Sequence, residues 1–179
     1  GRDWSELDRY TVQYLPDHLG GAEKYDELTA LLLDFNYLRA KLELTDINDL
    51  LDDFDYLPDS DRREPVRLVE QALNLSRTVL IDDKSQLAGH LVGRLRRFDA
   101  PEIKVLGAQA DGWRGGAWIR PCQPTLSSPD GPLLMSILLN SNLTEVAINR
   151  DGTRLIAGGE EVTKVWDLRT QEELMRLKG

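Results

Sequence analysis

Two parts of the chain with different hydrophobic patterns meet at residues 111–132, DGWRGGAWIRPCQPTLSSPDGP. Eight of these 22 residues are glycine or proline, a density that interrupts helices and strands and predicts a linker or an irregular strap. Trp113 and Trp118 each have a large apolar surface and an indole N–H that needs a partner. We therefore expect both tryptophans to hold the strap against a folded part of the protein.

Before the strap, apolar residues recur at intervals of three and four, as on one face of an α-helix. The clearest stripe consists of Ile47, Leu50, Leu51, Phe54 and Leu57. Thr45 precedes this stripe and is predicted to cap its helix by accepting a backbone N–H. The aspartates between Asp46 and Asp61 are predicted to form a solvated face.

Other stripes extend the helical pattern. Residues 28–42 predict one bent helix or two abutting helices, and residues 66–80, 87–98 and 101–110 predict three more. The predicted loops are only a few residues long, so we expect neighbouring helices to pack antiparallel, as a bundle or a helical array over residues 3–110. Several aromatic residues are predicted to pack between these helices: Tyr10, Tyr14, Tyr25, Phe35 and Tyr37.

After residue 132 the hydrophobic period becomes two, which is the period of β-strands. Short apolar runs recur about every ten residues, at 143–149, 154–157, 162–166 and 173–177. Asp151-Gly152 stands between the first two runs and predicts a hairpin turn, because glycine tolerates the positive φ that such turns need. The sequence thus predicts an α+β fold, in which a helical bundle or array is followed by a short antiparallel β meander over residues 133–179.

The composition limits the partners. The chain has 179 residues and a formal net charge of −9, which works against binding to the phosphates of nucleic acids. No apolar run is long enough to span a membrane, so we expect neither nucleic acid nor a membrane as a partner. Cys122 is the single cysteine, which fits a reducing compartment and predicts a cytoplasmic location.

Residues that could catalyse a reaction or bind a metal do not form a known pattern. The acidic run that ends at Asp61 lacks the central glycine of an EF-hand loop, and Pro58 interrupts it. His18 and His90 are far apart in sequence and are predicted to be ordinary, partly buried imidazoles. Cys122 has no adjacent base and no helix N-terminus to activate it. The sequence therefore predicts no catalytic residue, no metal and no cofactor.

The β segment resembles a WD repeat. The matching residues are Val146-Ala147-Ile148, Asp151-Gly152, Leu155-Ile156-Ala157-Gly158-Gly159 and Thr163-Lys164-Val165-Trp166-Asp167. The resemblance implies one four-stranded blade of a β-propeller, with the structural motif carried by Asp151, Gly152, Trp166 and Asp167. It also implies that Leu133–Leu139 is an outer strand. The repeat is degenerate, because the usual Gly-His falls at Leu138-Leu139 and the usual Asp before the Trp strand falls at Glu160.

The helical segment resembles the helical domain of STAND signalling NTPases that are similar to the apoptotic-protease-activating factor. The resemblance lies in Trp4 and in residues 14–19, 25–42, 73–80, 85–91 and 93–95. Trp113–Pro121 is similar to the strap that leads into the propeller of bacterial members, especially cyanobacterial ones. The family implies an upstream nucleotide-binding module, but this chain contains no G-x-x-x-x-G-K-[ST] motif.

These resemblances imply a non-catalytic regulatory segment that couples an NTPase module to a WD-repeat sensor through protein partners. The alternative is a freestanding helical adaptor that binds a protein partner in a groove of its own. A single blade exposes its edges, so we also expect the β part to pack on the helices or to pair with another copy of the chain.

Overall fold

The computed structural model describes Trp4 and residues 9–116, 118–132, 143–159, 162–168 and 173–178. Helices precede a four-stranded antiparallel sheet, so the predicted α+β fold is confirmed. The chain divides into two compact units, Gly1–Ser136 and Ile137–Gly179. The strap therefore belongs to the same unit as the helices. In the described part of the chain, no helix is long and apolar enough to cross a membrane.

The described part of the first unit contains seven α-helices, and a 3₁₀ turn adjoins α4 and another adjoins α6. The helices are α1 (Arg9–Gly21), α2 (Tyr25–Leu32), α3 (Phe35–Leu44), α4 (Ile47–Asp52), α5 (Glu64–Asp82), α6 (Leu87–Leu95) and α7 (Pro101–Gly112). The 3₁₀ turns are Asp53–Tyr56, directly after α4, and Lys84–Gln86, directly before α6. Proline lies in the first turn of α5 and of α7, where its missing N–H leaves no helical hydrogen bond unmade.

The stripe over residues 28–42 forms two helices, one of the two arrangements that the sequence allowed. The chain leaves the helical conformation at Asp34, whose carboxylate accepts a hydrogen bond from the backbone N–H of Asn36. This side-chain cap satisfies a donor that α3 itself cannot satisfy. Asp34 therefore begins a new helix where the hydrophobic period alone would continue the old one.

Asp46, and not Thr45, caps α4, so the predicted cap is wrong by one residue. Asp46 Oδ1 accepts hydrogen bonds from the backbone N–H groups of Asn48 and Asp49. The Thr45 hydroxyl instead donates to the carbonyl oxygen of Lys41 at the end of α3. Because the two helices abut, Thr45 satisfies the last turn of one and Asp46 the first turn of the next.

The hydrophobic core lies among the helices. Its largest fully buried side chains include Phe35, Tyr37, Leu38 and Leu42 of α3, and helices α1, α2, α4 and α7 contact this helix. Burial of Tyr37 and Leu38 on different sides of α3 means that this helix is enclosed and not merely amphipathic. Four of the six other described helices pack around it.

The second unit is a meander in the order β1 (Leu143–Ile148), β2 (Arg154–Gly159), β3 (Val162–Asp167) and β4 (Glu173–Lys178). All three pairs are antiparallel, and the register places Val146 opposite Ala157 and Leu155 opposite Trp166. The predicted outer strand at Leu133–Leu139 and the motif position Glu160 lie outside the described residues.

We expect Asp46→Ala to destabilise the first unit by about 1 kcal/mol, because two N–H groups of α4 lose their acceptor. Thr45→Ala should cost less, since the carbonyl of Lys41 also accepts the backbone N–H of Thr45. Urea unfolding followed by circular dichroism measures both variants. A larger loss for Thr45→Ala than for Asp46→Ala would contradict this assignment of the cap.

Candidate functional site

Helix α6 carries two glycines one turn apart, Gly89 and Gly93, and the strap lies against them. A Cβ atom on Gly93 would lie 3.1 Å from Cδ1 of Leu126 and 3.2 Å from Cγ of Pro121. A Cβ atom on Gly89 would lie 3.3 Å from the carbonyl oxygen of Ile119. The missing side chains therefore form the groove that lets the strap approach the helix backbone.

Arg94 fixes the strap to the helices with hydrogen bonds from three of its nitrogens. Nη1 donates to the carbonyl oxygen of Ser127 in the strap at 2.7 Å. Nη2 donates to the carbonyl oxygen of Leu75 at 2.8 Å, and Nε to Oγ of Ser76 at 2.9 Å, both on α5. Arg94 is 7% exposed, and its burial lowers the pKa of the guanidinium. The buried cation joins α5, α6 and the strap through neutral acceptors.

Two more arginines, at the end of α6, also bind the strap. Arg96 Nη1 donates to the carbonyl oxygen of Pro121 at 3.0 Å, and Arg97 pairs with Asp130 at 3.1 Å. Both contacts are exposed, and exposed ion pairs contribute little to stability. Their effect is to align the strap, while the glycine groove and Arg94 hold it.

The tryptophans of the strap are partly buried and pack against the core of the helical unit. Trp118 lies beside Gly89, with Cε3 3.6 Å from the position of a Cβ atom there. Gly115 and Gly116 fold over the indole of Trp113, since a Cβ atom on Gly115 would lie 2.7 Å from Nε1. Any other residue at position 115 would displace the Trp113 ring.

We expect Gly93→Leu to release the strap, because the added side chain would overlap Leu126 and Pro121 and overpacking costs about 1–3 kcal/mol. Hydrogen exchange of residues 118–127 should become at least about tenfold faster. Gly107→Leu is the matched control, since nothing lies within 4 Å of a Cβ atom at this other helical glycine. Equal exchange in the two variants would contradict the groove.

A second polar cluster is buried at the centre of the helical unit. Lys41 Nζ lies 2.8 Å from Oδ1 of Asp53, and the two side chains are 3% and 4% exposed. Tyr37 donates its hydroxyl hydrogen to Oδ2 of Asp53 at 2.8 Å. The prediction that the aspartates around position 53 form a solvated face is therefore wrong for Asp53. The 3₁₀ turn after α4 rotates this residue inward, off the helical period.

Helix α1 is bound to this cluster through its own backbone. Lys41 Nζ donates to the carbonyl oxygen of Gln13 at 2.9 Å, and the Tyr37 hydroxyl lies 3.5 Å from the carbonyl oxygen of Val12. Pro16 lies inside α1 and has no N–H, so the Val12 carbonyl lacks its partner within the helix. The proline thus leaves a backbone acceptor free at the place where the polar side chains of α3 reach α1.

Burial raises the pKa of Asp53 to about 6, although the hydrogen bonds from Lys41 and Tyr37 act in the opposite direction. The same burial, with Asp53 as a neighbour, raises the pKa of Tyr37. Desolvation therefore outweighs the pairing with Lys41 in setting the protonation of the carboxyl group.

We expect Asp53→Ala to destabilise the protein by about 3–5 kcal/mol, because Lys41 would keep a buried charge without its counter-ion. The double variant Lys41→Met/Asp53→Leu should recover most of this loss, since it removes both charges and retains volume. Equilibrium unfolding in urea measures the three proteins. A double variant as unstable as Asp53→Ala would show that the ion pair is not the cause.

The pKa of Asp53 also sets a pH dependence. An unfolded aspartate has a pKa of about 3.9, so the folded protein binds this proton more tightly and gains stability as the pH falls from about 6 to about 4. Relative to Asp53→Asn, the wild-type protein should lose up to about 3 kcal/mol between pH 4 and pH 7. Unfolding free energies of both proteins across this range measure the difference, and a relative gain with rising pH would contradict it.

In the sheet, the predicted turn residues Asp151 and Gly152 connect β1 to β2. Gly152 has φ +73°, in the left-handed region that glycine adopts without strain. Asp151 Oδ1 accepts a hydrogen bond from the backbone N–H of Thr153 at 2.9 Å. Asn149 Oδ1 accepts from the N–H groups of Thr153 and Arg154, which closes the turn from the other side.

Trp166 and Asp167 end β3. Trp166 is 5% exposed, and Asp167 pairs in register with Arg154 of β2. Next to the tryptophan, the buried Lys164 lies 2.9 Å from Glu173, with its ammonium group 5.6 Å from the centre of the indole ring. Hydrogen bonds from Arg176 and Lys164 lower the pKa of Glu173 to about 2. This ion pair occupies the face on which the motif tryptophan lies, and sequence reasoning did not find it.

The other candidate residues lie apart from one another. His90 is half-buried with Nδ1 3.0 Å from Oγ of Ser76, and burial and Arg94 lower the pKa of its imidazole. His18 is exposed on α1, which differs from the partial burial expected for it. Cys122 is exposed and has no disulfide partner. The described residues contain no group of three side chains that could hold a metal ion.

The aromatic residues expected between helices divide into two sets. Phe35 and Tyr37 are fully buried, and Tyr25 packs against the core. Tyr10 and Tyr14 are 62% and 41% exposed, and the centres of their rings lie 4.8 Å apart on the surface of α1. For these two tyrosines the predicted packing is wrong, because α1 turns Val12, Pro16 and Leu19 towards the core instead.

No curated protein and no solved structure matches the chain. Residues 3–85 match the family model of the APAF-1 helical domain. This segment is just under half of the chain and includes α1 to α5 with the buried Lys41–Asp53 pair, whereas α6, α7, the strap and the sheet follow it. The first five helices are therefore similar to the APAF-1 helical domain.

Proposed function

We propose that this chain is a non-catalytic regulatory and protein-interaction segment of a STAND-type signalling protein, in which it couples an NTPase module to a WD-repeat sensor. The observation that carries the proposal is the packing of the strap on α6. Helix α6 directly follows the segment that is similar to the APAF-1 helical domain. A linker that is clamped on a helical domain can transmit a force or a displacement, whereas a flexible linker cannot.

The pattern of the sheet supports a propeller blade as the sensor part. Successive side chains of a strand point to opposite faces, so Val146 and Ile148 lie on one face and Ile156 and Met175 on the other. All four are 43–59% exposed. A sheet with apolar residues on both faces needs cover on both, as neighbouring blades provide in a propeller. We infer that further repeats, or a second copy of the chain, cover these faces and the edges of β1 and β4.

The contacts between α6 and the strap offer a route for coupling. The arginines of α6 donate to carbonyl oxygens of the strap at Pro121 and Ser127. These bonds position the strap backbone without depending on its side chains. A displacement of the strap would break them, expose Arg94 and open the groove at Gly89 and Gly93. In this proposal, binding of a protein partner at the propeller changes the NTPase module by moving the strap on α6.

The alternative, a helical adaptor that binds a protein partner directly, is favoured by an open groove of about 430 Å³ between α2 and the first turns of α5 and α7. Its apolar lining includes Leu33, Pro65 and Val105, and Val105 is 59% exposed. A groove of this size can accept side chains of a partner helix. The adaptor would act without a nucleotide-binding module.

The reading frame that encodes this chain distinguishes the two functions. Coupling predicts a P-loop upstream and more WD repeats downstream, and it places the protein in the cytoplasm with protein partners and without nucleic acid or membrane. In that full-length protein, Gly93→Leu should alter the change in ATP hydrolysis caused by the partner. Gly107→Leu should leave it unaltered. A reading frame without a P-loop would exclude coupling and leave the adaptor.

A further inference from the structure

A small cavity of about 160 Å³ lies between α3, the beginning of α6 and the strap, within the helical unit. Its apolar part is formed by Phe35, Leu87 and Ala88, and its strap side by Trp113 with the two glycines that fold over it. The volume is below the range of about 300–1,000 Å³ that is typical of sites for whole small molecules. It is suited to a single amino-acid side chain.

The charged side chains of this cavity are Arg39, Lys84 and Glu43. Two cations face one anion, in a chain whose net charge is −9. Ser85 also lines the cavity, but its hydroxyl donates to Asp83 at 2.6 Å, so it is already engaged. The lining residues therefore carry one more positive than negative charge, and Asp83 lies beside them.

The hydrogen-bonding capacity of the two cations is only partly used. Arg39 Nη1 donates to both carboxylate oxygens of Glu43 at 2.8 Å, while its buried Nε has no acceptor among the described residues. Lys84 Nζ donates to the carbonyl oxygen of Thr45, which uses one of three ammonium hydrogens. The donors of Arg39 and Lys84 thus outnumber the acceptors that they bind, which an anionic acceptor would satisfy.

We propose that this cavity binds the glutamate side chain of an acidic peptide segment in a partner protein. The carboxylate would lie between Arg39 and Lys84, and the methylene groups would pack on Phe35 and Leu87. A glutamate side chain is longer than an aspartate side chain by one methylene group. Burial of that group against the apolar lining of the cavity favours glutamate. The site does not depend on the proposed coupling function, because it is complete within the helices and the strap.

The test uses the 179-residue chain labelled with ¹⁵N and the capped tripeptide acetyl-Ala-Glu-Ala-amide as the probe, with acetyl-Ala-Gln-Ala-amide at the same ionic strength for comparison. We expect the indole N–H resonance of Trp113, assigned with Trp113→Phe, to shift and saturate with the glutamate peptide. The resonance of Trp166 in the sheet should stay in place. Equal shifts with the glutamine peptide would overturn the proposal, as would no shift with either.

The variants Arg39→Gln and Lys84→Gln should each weaken binding by about tenfold, because each removes a charge-assisted hydrogen bond. Arg63→Gln is the matched control, since Arg63 is exposed, pairs with Asp26 and lies outside the cavity. If Arg39→Gln fails to fold, Lys84→Gln still decides, because Lys84 lies in a short 3₁₀ turn at the surface. Equal affinity of the Lys84→Gln and Arg63→Gln variants would overturn the site.

Discussion

The buried ion pair of Lys41 and Asp53 is the interaction on which the helical unit depends. It is enclosed by the apolar residues of α3 and α4, and it reaches α1 through a backbone carbonyl. A buried pair adds little to stability compared with apolar residues of the same volume, but it penalises any packing that separates the charges. Its effect is to fix the positions of α1, α3 and the 3₁₀ turn relative to one another. Apolar side chains alone would specify these positions less strictly.

The strap depends on how the helices pack and has no direct contact with the ion pair in the contacts described above. Leu75 and Ser76 of α5 accept hydrogen bonds from Arg94, and the glycine groove lies on α6. The strap is therefore held only when α5 and α6 are packed together. The buried Ser76 hydroxyl donates to the Ala72 carbonyl while it accepts from Arg94. The contacts that hold the strap are thus continuous with the helical core.

Much of the fold follows from hydrophobic period and turn chemistry, as the stripe at residues 47–57 and the turn at Asp151-Gly152 illustrate. Two kinds of feature were not predictable. The inward turn of Asp53 depends on a 3₁₀ turn that breaks the helical period, and the burial of Lys41 depends on neighbours far away in sequence. The pair Gly89 and Gly93, spaced by one helical turn, was a visible signal of close approach. It carried meaning only once Leu126 and Pro121 were seen opposite it.

Helix α6 has only nine residues, and two of them are glycines in its interior. Each costs roughly 1 kcal/mol relative to alanine in a helix, so this segment on its own would remain largely unfolded. The packing of α5, α7 and the strap against α6 therefore keeps it helical. Detachment of the strap would remove part of this packing, so we expect α6 to open locally at a lower free energy than the unit as a whole.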